Sequence, residues 1–228
     1  MVDKRIWEID LLRTMAIIFM VAFHIVVDLN RFVGIDIDYL SGFWYWEGKA
    51  SALTFIFLAG ISSGFSKNNF IRGIKVLAYG MTITLVTYIF FREQYIRFGI
   101  LHLLGTSMIL FPLFKRINNL LLLISAVVIA LTAIPLNNVF AHTSLLLPLG
   151  VMYKGFATLD YYPLSPYFAM FILGILAHKL YYYKRQSLYP FSYENKYIST
   201  ISKHSLAIYL VHQPVIIGVI SLLKFLHK

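Results

Sequence analysis

Apolar runs long enough to cross a bilayer recur along the whole chain, at roughly 9–29, 49–66, 71–91, 98–114, 118–135, 164–182 and 203–224. A hydrocarbon core about 30 Å thick takes roughly 20 residues of helix to span, and lipid offers no partner to an open backbone. A shorter run, Ser144–Met152, is interrupted by Pro148 and Gly150 and reads as a re-entrant or short eighth segment. The expected fold is all-α, a polytopic integral membrane helix bundle of seven full spans plus that re-entrant or short eighth. Neither linker nor internal repeat divides the chain, so a single membrane domain over residues 1–228 is expected.

Composition agrees with this. Hydrophobic residues make up 59% of the chain and charged residues 13%, against about 25% charged in a soluble domain. The formal charge of +10 does not point to nucleic acid, because Lys and Arg sit in short runs between apolar segments, as in cytoplasmic loops. With no cysteine there is no disulfide framework, zinc-thiolate site or thiol nucleophile. Asp10 and Arg13 interrupt the entry to the first run and no small-residue cleavage site follows, so that run is expected to be a permanent span.

Loop charges set an expected orientation. Lys4 and Arg5, then Lys67, Arg72 and Lys75, then Lys115 and Arg116 fall on one side, which places the N-terminus in the cytoplasm of a multi-pass plasma-membrane protein. Lys179, Lys184 and Arg185 join that side only if the 144–152 run does not cross. Gly60 and Gly64, four apart, permit close helix contact.

Chemistry is expected on the first span. At 100° per residue, Asp10, Arg13, His24 and Asp28 fall on one face of one helix, spread over roughly 27 Å of rise. An ionisable group at such depth costs about 3 kcal/mol or more, so it faces protein, a wet cavity or a site. His24, a neutral imidazole, can take and return a proton, and Asp28 one turn on is placed to orient its ring. Arg13 is a fixed cation suited to phosphate or carboxylate, although Asp10 at i−3 is an alternative partner for it.

The last span adds Ser205, Tyr209 and His212 on one face, with Pro214 freeing the carbonyl of Leu210. His102, Ser51, Thr54, Asp160 and the Tyr161–Tyr162 pair are further polar candidates. Three histidines at membrane depth raise a bis-histidine haem site, but no paired register supports one and Asp10 and Arg13 would be unexplained. No metal is expected, since only His24 and Asp28 share a ligand-like spacing.

Two strings carry a resemblance. Trp7-Glu8-Ile9-Asp10-Leu11-Leu12-Arg13, with His24 after ten more residues, resembles the first span of the bacterial membrane acyltransferase-3 family. The string from Ser205 to Pro214 resembles that family's last helix. A fuller resemblance, over nearly the whole chain, is to a compact prokaryotic membrane family of unassigned function grouped with heparan-alpha-glucosaminide N-acetyltransferase. Phe43-Trp44, the run Phe55 to Ser62, the run Phe98 to Gly105 and the run Thr158 to Leu164 carry it.

The resemblance implies transfer of an acetyl or other short acyl group from cytoplasmic acyl-CoA to a glycan or lipid acceptor at the outer face of a prokaryotic plasma membrane. In that picture Arg13, Lys67, Arg72 and Lys75 hold the CoA phosphates, and His24 is general base or transient acyl carrier. His102, Asp160, Tyr209 and His212, with Asp10, complete the binding set. Two departures stand out: residues 30–48 hold no histidine where the lysosomal enzyme's proposed catalytic one lies, and that enzyme's pattern has an amide at the His24 position. The chain is also shorter than either relative.

The polar face suits two other functions, a permease for a small anion or lipid and a non-catalytic scaffold. Free CoA released from acetyl-CoA separates an enzyme from a carrier, and a scaffold loses only stability when the face is changed. Acyl-CoA, the bilayer and an acceptor are the expected partners, with a homodimer left open. His24, His212 and His102 are expected to converge on a cavity opening toward Arg13.

Overall fold

The computed structural model describes residues 5–136, 138–193 and 195–226, and Lys4 of the N-terminal basic cluster lies outside them. The chain is 73% helical. Its helices are α1 (Trp7–Asp28, continued by a wider turn over Leu29–Val33), α2 (Gly42–Phe65), α3 (Asn69–Phe90), α4 (Ile100–Phe114) and α5 (Asn119–Leu136). They continue with α6 (Leu164–Ala177, extended through His178–Tyr182), α7 (Lys196–Lys203) and α8 (Ser205–Leu226).

All but α4 and α7 are long and apolar enough to cross a membrane. α4 is equally apolar but has 15 residues, about 22 Å of rise. Each expected span is thus a helix, and the protein is an all-α, multi-pass membrane bundle. Ser144–Leu149 is a six-residue tight helical turn that stops at Gly150, whose φ of 104° is left-handed and suits glycine. Flanking it, the two-residue strands β1 (Phe140–Ala141) and β2 (Met152–Tyr153) pair in parallel.

The chain divides into two compact units, residues up to 55 with those from 185 onward, and residues 56–184. In the first unit α1 packs against α7 and α8. The Thr14 hydroxyl donates to the Ile198 carbonyl at 3.0 Å, and Ser51 donates to the Ala16 carbonyl at 2.8 Å. The start of α1 is held by the 188–193 loop: Trp7 donates its indole N–H to the Phe191 carbonyl at 3.1 Å, and the Leu188 N–H donates to Glu8 Oε1 at 2.8 Å. Glu8 and Asp10 in the first turn also favour the positive end of the helix dipole.

In the second unit α3 pairs with α4 and α5 with α6. Small residues let backbones approach closely. A Cβ on Gly60 would overlap the Phe171 carbonyl and Gly174 Cα, and one on Gly105 would press on Leu77 and the Gly73 carbonyl. Gly64 receives the His178 ring. The outer faces carry Leu85, Ile89, Leu120, Leu131 and Val215 exposed, the surface that a bilayer covers.

Candidate functional site

Asp10, Arg13, His24 and Asp28 all turn toward protein within the first unit: Asp10 and Asp28 are buried, Arg13 and His24 half-buried. They fall in two groups along α1. At its entry, Asp10 takes two parallel hydrogen bonds from the Arg5 guanidinium, Nε to Oδ2 and Nη2 to Oδ1, both 2.7 Å. The hydroxyl of fully buried Ser202, on α7, donates to Asp10 Oδ1 at 2.7 Å and accepts from Arg13 Nη1 at 3.3 Å. The fork geometry explains the tight pairing. Hydrogen bonding to Asp10 raises the Arg5 guanidinium above its ordinary value against the opposing effect of burial, and the Asp10 charge adds to the rise.

Roughly 16 Å further along the helix axis lies the second group. The rings of His24 and His212 meet with centroids 4.8 Å apart and planes inclined at 55°. Gln213 Nε2 stands 3.0 Å from His24 Nδ1, and His212 Nδ1 stands 2.5 Å from the Tyr209 carbonyl one turn back on α8. The Tyr209 ring lies 5.4 Å from His212. Three buried polar atoms here have no hydrogen-bond partner: Asp28 Oδ2, His212 Nε2 and Gln213 Oε1. A native interior pairs nearly all of its polar atoms, so a cluster of three orphans on facing helices marks a place for a further polar group.

The group at His24 Nδ1 is the Gln213 amide, where the sequence had suggested Asp28. Asp28 lies beside the Gln213 amide and faces Arg31. Ser202 and Gln213 were not singled out in the sequence, although Gln213 follows His212 and shares a helix face with Tyr209 at i+4.

His102 and Asp160 belong to the second unit, where both secure the start of α4. His102 Nδ1 accepts from the Gly99 N–H at 3.2 Å, and its Nε2 meets Thr84 Oγ1 at 3.2 Å. The Thr84 hydroxyl in turn donates to the Ile96 carbonyl at 2.7 Å. Asp160 Oδ2 accepts from the Ile100 N–H at 3.0 Å, capping a helix 60 residues upstream. Tyr161 donates to the Leu147 carbonyl at 2.8 Å, and burial pushes its phenol up to about 12. A cavity of about 240 Å³ opens nearby, lined by Thr84, Tyr95, Arg97, Phe98, Ser144, Leu147 and Pro148, none of them a predicted site residue. Arg72 is exposed on the first turn of α3, as are Lys67 just before it and Lys75 on it.

Among the described residues, no three His, Cys, Asp or Glu side chains gather as a metal site needs. The arrangement has instead a cation anchor at one level of α1 and an imidazole pair at another.

A family model described as heparan-alpha-glucosaminide N-acetyltransferase, catalytic, matches residues 5–214. The match runs through both units and includes Arg5, Asp10, Arg13, His24, Asp28, His212 and Gln213. No curated protein and no solved structure matches the chain significantly. The chain therefore belongs to the heparan-alpha-glucosaminide N-acetyltransferase catalytic family, a transmembrane acetyltransferase-like family.

Proposed function

We propose that the protein is a transmembrane acyltransferase that moves an acetyl or other short acyl group from cytoplasmic acyl-CoA to a glycan or lipid acceptor at the outer face of a prokaryotic plasma membrane. The carrying observation is the two-level arrangement on α1 in a chain of this family. Arg13 stands near the entry of the span, in a network with Arg5, Asp10 and Ser202. The His24–His212 pair, with three unpartnered buried polar atoms around it, lies about 16 Å deeper. An extended pantetheine arm bridges such a separation between its phosphates and its thioester. Arg13 holds the CoA phosphates, and the imidazole pair carries the acyl-transfer chemistry. Tyr209, beside His212, shapes the surroundings, and residues 1–228 act as one domain with a cytoplasmic N-terminus. Acyl-CoA is a co-substrate, so the reaction needs no resident cofactor.

The test uses purified protein in lipid nanodiscs with acetyl-CoA labelled in the acetyl group and lipid-linked or soluble amino-sugar acceptors. Expected is free CoA thiol in step with labelled acceptor, lost in His24→Ala. A folded His24→Ala that transfers acetyl at the parental rate removes this proposal. Labelled acetyl-CoA that crosses or binds but stays intact favours a carrier.

A further inference from the structure

The two imidazoles of the pair have different hydrogen-bond partners, and those partners fix where each ring carries its proton. A carbonyl oxygen only accepts. His212 Nδ1, 2.5 Å from the Tyr209 carbonyl, must therefore carry hydrogen, and in a neutral ring the lone pair is left on Nε2. Nε2 is the buried ring atom with no partner. His24 is the reverse case. Its Nδ1 faces the Gln213 side-chain nitrogen at 3.0 Å, and the same amide lies beside the Asp28 carboxylate, which favours an NH₂ group over a carbonyl oxygen at that spot. Nδ1 of His24 thus accepts, and its proton sits on Nε2.

Resting on the acyl-transfer reading above, we infer that the two histidines divide the work: His212 Nε2 is the general base, His24 Nε2–H is the donor that steadies the oxyanion, and Gln213 is the positioning residue that sets the His24 tautomer. The acceptor's hydroxyl or amine gives its proton to His212 Nε2 as its lone pair bonds to the thioester carbonyl carbon. The carbonyl π electrons move to oxygen, and the His24 Nε2–H donates a hydrogen bond to the oxyanion so formed. When the oxyanion collapses, the C–S bond breaks, the sulfur leaves with the bonding pair, and it takes the proton back from His212 as CoA thiol. Both rings end neutral.

Two readouts test this. In the full chain, ¹⁵N-histidine spectra report the tautomer directly, with a purification tag free of histidine and the signals of the seven native histidines assigned through His24→Asn and His212→Asn. Expected is an Nδ1-protonated neutral ring at His212 and an Nε2-protonated one at His24, shifting in Gln213→Leu toward a mixture at His24 alone. A His212 ring protonated on Nε2 overturns the assignment. This readout stands even where the parental protein releases no CoA, an outcome that would sink only the acyl-transfer reading.

The second readout is the transfer rate. A glutamine amide reproduces an N–H near the Nε2 position but carries no proton. His24→Gln is expected to stay within about tenfold of the parent, and His212→Gln to lose roughly 10²- to 10⁴-fold. Equal losses, or losses in the opposite order, overturn the division of labour.

Discussion

Asp10 shows how a carboxylate is held at the entry of a membrane span. Two Arg5 nitrogens and the Ser202 hydroxyl fill its two oxygens, and Ser202 in turn accepts from Arg13. Asp10→Ala would strip three charge-assisted bonds and leave two guanidinium groups close together with the carboxylate gone. Arg5 is 39% exposed, so water offsets part of the loss, and the expected cost is about 2 kcal/mol in denaturation measured in detergent. Ser202→Ala should cost about 1 kcal/mol. The raised guanidinium of Arg5 contributes stability at every pH below its ordinary value, so this cluster should not respond to pH in the physiological range. Asp38 should respond in acid. The Ser41 hydroxyl, then the N–H groups of Leu40 and Ser41, hold its carboxyl below the usual range. Its contribution is present above that range and disappears as the pH falls through its lowered value. Amide exchange at Leu40 and Ser41, corrected for intrinsic rate, should be protected at pH 6 and lose protection in acid below the ordinary aspartate range. Protection unchanged between the two would refute the assignment.

Helix crossings in the second unit depend on the absence of side chains. Gly60 on α2 and Gly174 on α6 face each other so closely that a Cβ on either would overlap the partner backbone. Gly60→Val or Gly174→Val should therefore destabilise by about 1–3 kcal/mol, while Gly218→Ala, with open space around it, should be near neutral. Thermal unfolding in one detergent compares the three, and equal midpoints for all would refute the crossing. The Gly60–Gly64 spacing announced a close contact in the sequence. Its partners, Gly174 and His178, did not show, because nothing local links residues more than a hundred positions apart. The α4 start has the same character. A hydrogen bond from Ile100 to a carboxylate 60 residues on makes Asp160 a cap, a partner that nothing local in the sequence shows. Asp160→Ala should cost about 1 kcal/mol and fray α4 from its first turn, visible as faster amide exchange at Ile100.

At the scale of the whole molecule, the apolar runs carried the architecture, since lipid leaves a spanning chain almost no choice but helix. The polar face of α1 was equally legible, because 3.6-residue periodicity places Asp10, Arg13, His24 and Asp28 together whatever surrounds them. What periodicity cannot give is the partner across the interface. Gln213, not Asp28, meets the His24 ring, because that contact depends on how α8 is set against α1. Crossing number follows from length in the same way. Ser144–Leu149 rises about 12 Å, well short of a bilayer, so α5 and α6 are expected to be consecutive crossings. That would put the Lys184–Arg185 cluster on the side of Lys115 and Arg116, in line with the bias of basic loops toward the cytoplasm. The chain has no native cysteine, so single cysteines report topology without background. In intact cells a membrane-impermeant thiol reagent should label Asp36→Cys and Lys154→Cys from outside. Lys67→Cys, Lys115→Cys and Ser187→Cys should react only after the membrane is opened. Outside labelling at Lys67→Cys and Lys115→Cys would invert the orientation. Labelling of Ser187→Cys and Lys115→Cys from opposite sides would mean that the 144–152 segment crosses after all.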